Sequence, residues 1–471
     1  MKTTGTRSLI LILLTLAFAG GMLFFLVEYA NNGGDWAIQS FNKHITQGDS
    51  LSGRVLDRDG TVVAYSDETG RVYHDDKSVR LALLHVVGDT RGYIATSTQY
   101  LYRAELSGYN LITGLVSPFG ETNGSDVTLT VDADVCRTAY EALSGKKGAV
   151  VVYNYKTGEI LCEVSSPGFD PGAPPDDLDT DETGKYEGVY LNNVISSTYT
   201  PGSIFKIVTT AAAIENIPDL DSRTFTCSGS TIINGNQINC TGTHGQMDFK
   251  TALAHSCNVV FGELAVELGE EKMTAMAEQL GFNRSFSFDG VNTAKSSYQV
   301  KGASDDELAW SGIGQYTDLA NPMHMAILMG AVANGGTPVM PYFVDSVTTS
   351  FGLVTQTGSA VQGSQMLSAS TASRLQTYLR YNVSSYYGDS MFPSGMEVCA
   401  KTGTAEVGQG KEPTGWMIGF SPNPSTPYAF AVAVEEGSSG IGSAGSVASA
   451  VLSRVSTAAG LPQIINTLAE G

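Results

Sequence analysis

The segment "GAVVVYNYKTGEILCEVSS" (residues 148–166) contains two apolar, β-branched runs joined by a short polar turn. Such a pattern predicts a β-hairpin. Three more apolar runs near the end of the chain predict further strands: "GMEVCAKTGTAE" (395–406), "GWMIGFSP" (415–422) and "YAFAVAVEE" (428–436). A sheet assembled from early and late strands, with helices between them in sequence, predicts an α+β fold.

The stretch between these strands has helical patterns. Residues 201 to about 282 are predicted to be mostly helical. "ANPMHMAILMGAVANGG" (320–336) predicts an apolar helix, with Pro322 in the first turn and Gly335 just after the last. A last helix is predicted from about 444 to 457.

The N-terminus indicates a membrane anchor. Leu9 to Val27 is uncharged throughout and long enough to cross a bilayer; Lys2 and Arg7 precede it and Glu28 follows. A cleaved signal peptide is the alternative, but its apolar region is usually shorter and ends in small residues. The predicted organisation is a cytoplasmic tail (1–8), a transmembrane signal anchor (9–27), a β-rich N-terminal pedestal or linker domain (28–125) and a main extracellular domain (126–471).

The charge balance excludes one class of partner. Formal net charge is −20, from 47 acidic and 27 basic residues. A strongly acidic chain is repelled by phosphate backbones, so we predict no nucleic-acid binding.

One lysine stands in an apolar setting. In "YTPGSIFKIVTT" (199–210), Lys206 follows Ser203 by three residues and has apolar neighbours. The spacing puts both on one face of a helix, and desolvation lowers the pKa of a lysine. A neutral amine beside a hydroxyl is a general base beside a nucleophile.

The spacing alone is not specific, since Ser40/Lys43 and Ser144/Lys147 share it in polar settings. Two later motifs make Ser203 the better candidate. They are Ser256-Cys257-Asn258, a hydroxyl and a carboxamide two residues apart, and Lys401-Thr402-Gly403-Thr404 after an apolar strand.

With these motifs in order, the sequence resembles the class B (monofunctional) penicillin-binding proteins, a peptidoglycan D,D-transpeptidase family. "GRVLDRDGTVVA" (53–64), "HSCNVVF" (255–261) and "IGQYTDLANPMHMA" (313–326) also resemble family segments. The resemblance covers most of the chain. It implies an antiparallel sheet flanked by helices plus an all-helical subdomain, preceded by one transmembrane helix and a small β-rich domain.

The resemblance also implies roles for the motif residues. Ser203 attacks the carbonyl between the terminal D-alanines of a stem peptide, or a β-lactam, and Lys206 takes its proton. The other implied roles are proton relay (Ser256), a hold on substrate amide and Lys206 (Asn258), carboxylate binding (Lys401, Thr402, Thr404), close approach of the ligand (Gly403), and an oxyanion hole of backbone N–H groups (Ser203, Thr404). No cofactor is implied, and other cell-wall synthesis proteins are candidate partners.

Two other functions remain open. One is a hydrolase with the same acyl-enzyme, either a D,D-carboxypeptidase or a β-lactamase. The other is a non-catalytic β-lactam sensor or cell-wall assembly scaffold. The 145-residue interval between Ser256 and Lys401, together with the anchor, favours the transpeptidase.

The cysteines suggest a disulfide. Cys227 and Cys240 flank the hairpin-like stretch "CSGSTIINGNQINC", so a bridge between them is predicted for an oxidising compartment. A zinc cluster of Cys240, His244, His255 and Cys257 is the alternative, but the spacings match no familiar ligand pattern. The sequence therefore predicts no metal site.

Overall fold

The computed structural model describes residues 2–37, 52–68, 70–108, 124–408, 410 and 412–460. Its helices are α1 (Lys2–Ala37), α2 (Lys77–Val87), α3 (Thr98–Leu101), α4 (Arg103–Ser107), α5 (Ala133–Leu143), α6 (Asn193–Ser196), α7 (Lys206–Asn216), α8 (Phe249–Ala254), α9 (Asn258–Gln279), α10 (Asp305–Gly312), α11 (Pro322–Ala333), α12 (Ala369–Asn382) and α13 (Ser446–Ala458).

Its strands are short in the N-terminal region and longer in the main domain. They are β1 (Val55–Leu56), β2 (Val62–Asp67), β3 (Gly70–Tyr73), β4 (Asp126–Leu129), β5 (Gly148–Asn154), β6 (Ile160–Ser166), β7 (Phe225–Cys227), β8 (Ser230–Ile233), β9 (Asn236–Asn239), β10 (Gly245–Met247), β11 (Ser287–Phe288), β12 (Val291–Asn292), β13 (Val339–Met340), β14 (Val344–Thr348), β15 (Val354–Thr357), β16 (Val361–Gln362), β17 (Cys399–Ala405), β18 (Thr414–Phe420) and β19 (Tyr428–Val434).

The main sheet has five antiparallel strands in the order β17-β18-β19-β5-β6. The predicted hairpin is β5–β6, and β19 pairs with β5 in the register Ala431↔Val151. Every residue of β18 is buried, although successive side chains point to opposite faces. Both faces are therefore covered, and α11 is among the helices that contact the sheet. The α+β prediction is confirmed.

Helix α11 comes unusually close to the sheet at Gly330. A Cβ atom there would lie 1.7 Å from the hydroxyl oxygen of Tyr153, a fully buried side chain. We expect Gly330→Ala to lower the free energy of unfolding by about 1–3 kcal/mol, because an inserted methyl group forces a well-packed core apart. Denaturant unfolding measures this loss.

The matched control for this prediction removes the obstructing atom. The Tyr153 hydroxyl neither donates nor accepts a hydrogen bond within the described residues, so Tyr153→Phe leaves no polar group without its partner. Adding Tyr153→Phe to Gly330→Ala should restore part of the lost stability. Purely additive effects of the two substitutions would contradict the predicted contact.

A second sheet joins the N-terminal region to the main domain. Its order is β15-β14-β4-β1-β2-β3, and β1 pairs with β4 in parallel, with Val55 opposite Val127. The sheet thus crosses the predicted boundary at residue 125, and the domain boundaries stay a prediction. The expectation of a β-rich unit is not confirmed: in residues 52–108 helical residues outnumber strand residues. The reason is α2, whose apolar side packs against α5 and β6.

The predicted helical block is interrupted. Helices α7, α8 and α9 lie within residues 201–282, but strands β7 to β10 separate α7 from α8. The β8–β9 hairpin turns at Asn234 and Gly235, which both have positive φ, as a tight two-residue hairpin turn requires. The hairpin predicted between Cys227 and Cys240 is confirmed.

Helix α1 contains the apolar N-terminal segment. Ser8–Asn31 is long and apolar enough to cross a membrane: an 18-residue stretch within it has a mean hydropathy of 2.7 and no part buried in the protein. The span predicted at residues 9–27 lies inside it. The helix is therefore a candidate membrane anchor.

Candidate active site

Ser203 lies in a short 3₁₀ turn, Gly202–Phe205, that leads directly into α7. The turn is pressed against β17: a Cβ on Gly202, which has a φ of +54°, would lie 2.7 Å from the carbonyl oxygen of Thr404. Lys206 is fully buried, and its Nζ lies 3.0 Å from the Ser203 Oγ. The serine and lysine therefore meet as their spacing predicts.

Four oxygen atoms surround the Lys206 Nζ. Besides the Ser203 hydroxyl, they are Ser256 O at 2.6 Å, Asn258 Oδ1 at 2.7 Å and Ser256 Oγ at 3.1 Å. The carbonyl and carboxamide oxygens can only accept, so they take two N–H bonds from a neutral amine. The amine lone pair is then left for a hydroxyl proton, which is the arrangement a general base needs.

Burial lowers the pKa of Lys206 to about 7. The ring of Phe261, whose centroid lies 5.6 Å from the Nζ, is part of the apolar surround. The pKa of Lys401 is also lowered well below its usual value, first by burial and then by repulsion from Lys206. Both lowered pKa values favour the neutral amine, and a charge on Lys206 disfavours a charge on Lys401.

The second motif lies in the link between α8 and α9. Ser256 adopts a φ of +53°, which turns the chain sharply before α9 begins at Asn258. The Ser256 Oγ lies 3.1 Å from the Nζ of Lys206 and 3.0 Å from that of Lys401. One hydroxyl thus connects two buried lysines, as a proton relay would require.

The third motif lies on β17, the edge strand of the main sheet. Lys401 is fully buried, and a Cβ on Gly403 would lie 2.8 Å from the carbonyl oxygen of Pro201. The glycine therefore lets the strand approach the Ser203 turn, whereas the sequence argument predicted approach of a ligand. The Thr404 Oγ1 accepts a hydrogen bond from the Gly440 N–H, which leaves its own proton free to donate.

Tyr387 is a site residue that the sequence argument missed. Its hydroxyl oxygen accepts from the Thr402 N–H at 3.2 Å and lies 3.1 Å from the Thr402 Oγ1. It comes from a π-helical turn after α12. No motif signals such a residue, because the contact joins a loop to a strand edge.

The orientation of β17 bears on the predicted oxyanion hole. The Thr402 N–H bonds to Tyr387 and so points away from β18. Alternate N–H groups of a strand point to the same side, hence the Thr404 N–H points outward as well. Since the backbones of Gly202 and Thr404 touch, this N–H lies beside the Ser203 turn, as the oxyanion-hole prediction requires.

The predicted Cys227–Cys240 disulfide is not formed. All six cysteines are free thiols. The reason is that Cys240 faces two other partners: its Sγ is 3.7 Å from the Cys257 Sγ and 3.5 Å from the His244 Nδ1. Cys227, Cys240, His244 and Cys257 form a cluster next to the second motif. His255, which the sequence analysis grouped with Cys240, His244 and Cys257 as a possible zinc site, is not part of this cluster.

Comparison with known proteins places these features in a family. The penicillin binding protein transpeptidase domain model matches residues 148–455. Peptidoglycan D,D-transpeptidase PbpA of Mycolicibacterium smegmatis is 29% identical over 365 residues, covering 72% of this chain and 73% of that protein.

Solved structures agree with this assignment. The D,D-transpeptidase domain of a peptidoglycan glycosyltransferase from Eggerthella lenta superposes with a TM-score of 0.74 at 29% identity, covering 87% of this chain and 99% of that one. The penicillin G acyl-enzyme complex of penicillin-binding protein A from M. tuberculosis superposes with a TM-score of 0.74 at 25% identity, covering 88% of this chain and 100% of that one.

Proposed function

Since the chain belongs to the penicillin-binding protein transpeptidase family, we propose that it crosslinks peptidoglycan stem peptides through an acyl-enzyme on Ser203. The observation that carries the proposal is the buried Lys206 Nζ, 3.0 Å from the Ser203 Oγ and with its lone pair free for the hydroxyl proton. The same serine is the site of acylation by β-lactams.

Acylation starts when Lys206 takes the Ser203 proton and the oxygen attacks the carbonyl between the terminal D-alanines. The N–H groups of Ser203 and Thr404 receive the developing oxyanion, at about 3 kcal/mol of transition-state stabilisation per donor. The Ser256 hydroxyl, in contact with both lysines, passes the proton to the departing amine.

Substrate binding decides which lysine is charged. The terminal carboxylate of the donor peptide binds beside Lys401 and the hydroxyls of Thr402 and Thr404. A carboxylate raises the pKa of a neighbouring lysine, so it holds a proton on Lys401. Repulsion from that ammonium then keeps Lys206 neutral and ready to act as the base.

The acceptor decides between crosslinking and hydrolysis. The D,D-carboxypeptidase and β-lactamase alternatives require an activated water. Within the described residues no carboxylate hydrogen-bonds to Ser203, Lys206 or Ser256, so these contacts include no glutamate of the kind that activates water in class A β-lactamases.

The test incubates the purified protein with a D-Ala-D-Ala stem peptide, with and without an amine acceptor peptide. We expect D-alanine to be released and, when the acceptor is present, crosslinked peptide to be formed. Release of D-alanine with hydrolysed peptide alone would favour the carboxypeptidase, and no release at all would favour the sensor or scaffold.

The pH dependence of acylation follows from Lys206. The base is the neutral amine, whose pKa is about 7. The acylation rate should therefore rise with pH, about tenfold per unit below pH 7, and level off above it. Rapid-mixing measurements with a chromogenic β-lactam record this profile, and a rate that falls on raising the pH through 7 would contradict it.

We further propose that α1 anchors the catalytic domain outside the cell membrane. Lys2 and Arg7 before the apolar segment support a cytoplasmic N-terminus. Protease treatment of intact spheroplasts tests the orientation: the catalytic domain should be digested, and its protection would contradict the proposal. Contact with other cell-wall synthesis proteins stays a prediction.

A further inference from the structure

A cluster of sulfur and nitrogen atoms lies directly behind the second motif. It consists of Cys227, Cys240, His244 and Cys257, whose ligand atoms all lie within 4.8 Å of one another. Cys227 ends β7, Cys240 follows β9, His244 precedes β10 and Cys257 precedes α9. Three loops of a small β-ribbon and the start of a helix thus converge on one point.

Two separations between these atoms match those of a tetrahedral metal site, and the remaining ones lie within 4.8 Å. Sulfur ligands of a tetrahedral zinc ion lie about 3.8 Å apart, and a sulfur and a nitrogen about 3.5 Å apart. The two sulfurs of Cys240 and Cys257 are 3.7 Å apart, and the Cys240 Sγ is 3.5 Å from the His244 Nδ1. A disulfide would require the sulfurs to approach to about 2.05 Å.

The chemical type and the burial of the donor atoms indicate which metal ion the site would bind. Three thiols and one imidazole are a soft donor set, which selects zinc over magnesium or calcium. Cys227 and Cys257 are fully buried, while Cys240 and His244 are partly exposed, so an ion could enter from one side. Four protein ligands complete a tetrahedron and leave no open position for catalysis.

We propose that Cys227, Cys240, His244 and Cys257 bind a structural Zn²⁺ ion that holds the Ser256 loop in place. Cys257 is the residue between Ser256 and Asn258, so the ion fixes the motif at its centre. The Cys240 Sγ also accepts the Asn258 N–H at 3.2 Å, and the Asn258 side chain donates to Asn239 O at 3.0 Å. The ion therefore joins the β-ribbon to the catalytic loop.

Metal content tests the site. The full chain, purified in detergent without chelator, should contain one zinc ion by mass spectrometry, and cobalt replacement should give a thiolate-to-cobalt charge-transfer band. Cys227→Ser and His244→Ala should lower zinc content on the order of tenfold at limiting free zinc. Cys136→Ala, a buried cysteine of α5 outside the cluster, is the matched control and should retain zinc.

Several results would overturn the proposal. The first is wild-type protein that contains no zinc, or that gives no charge-transfer band after cobalt replacement. The second is a Cys240–Cys257 or Cys227–Cys240 disulfide in protein from its native membrane. The third is a zinc loss in Cys136→Ala equal to that in Cys227→Ser. The wild-type and cobalt measurements remain decisive even if a variant fails to fold.

The positioning effect rests on the proposed function, whereas metal binding does not. Chelator-treated protein should be acylated by penicillin on the order of tenfold more slowly and recover with added zinc. Unchanged acylation after zinc removal would overturn the positioning role. Ser203→Ala should retain full zinc; zinc-loaded wild type that penicillin never labels would overturn the proposed function and leave the metal site intact.

Discussion

Ser203→Ala is expected to abolish covalent labelling by penicillin and to lower transpeptidation by at least about 10⁴-fold. The substitution removes the only atom that forms the acyl bond, while the fold around it is preserved. Lys206 keeps its bonds to Ser256 O and Asn258 Oδ1, so the site stays organised. Fluorescent penicillin on a denaturing gel measures the labelling, and intact-mass spectrometry detects any acyl adduct.

The control is the serine of the decoy motif. Ser144 precedes Lys147 by the same three residues but is exposed and has a φ of +53° at the end of α5. Ser144→Gly suits that backbone and should leave labelling unchanged. Labelling that survives in Ser203→Ala would refute Ser203 as the nucleophile.

Lys206→Arg should lower the rate of acylation by about 10²–10⁴-fold, although it conserves charge. Arginine stays protonated at any accessible pH and cannot accept the Ser203 proton. Lys206→Met, which keeps the length without the amine, should lose activity to a similar extent. The acylation rate constant is measured with the chromogenic β-lactam used for the pH profile.

A second measurement separates the base from a structural role for Lys206. In the variants the rise of acylation rate near pH 7 should disappear, whereas a merely destabilised protein would retain the wild-type profile at lower amplitude. Lys147→Met, in the exposed Ser144/Lys147 pair, should change neither the acylation rate nor its pH profile. A Lys206→Arg rate within tenfold of wild type would contradict the proposed base.

Much of the fold follows from local patterns. The β5–β6 hairpin, the late strands and α11 lie where predicted, because their apolar periodicity and turn residues act over short distances. Helix α11 begins at Pro322, with the Asn321 side chain accepting from the His324 N–H as an N-cap. The errors lie where segments far apart in sequence pack together, as for α2 against α5.

In the candidate site, too, the residues of local motifs could be predicted from the sequence, whereas contacts between distant segments could not. The order of the motifs identified Ser203, Lys206, Ser256, Asn258 and Lys401, which the structure brings into one hydrogen-bonded group. Tyr387 carried no signal because it meets Thr402 only through packing of the turn after α12. The spacing of the cysteines and histidines predicted no metal site, and the convergence of Cys227, Cys240, His244 and Cys257 depends on segments that are far apart in the sequence.

The sequence by itself determined the local chemistry of this protein: an apolar N-terminal helix, a serine and a lysine on one helical face, and strands with recognisable turns. Those features depend on backbone geometry over a few residues. Only the tertiary structure decided that Lys401 would lie 3.0 Å from the Ser256 Oγ, that Lys206 would be fully buried, and that the thiols of Cys240 and Cys257 would stand 3.7 Å apart. Such contacts arise when distant segments pack around a shared core, and no local spacing specifies them.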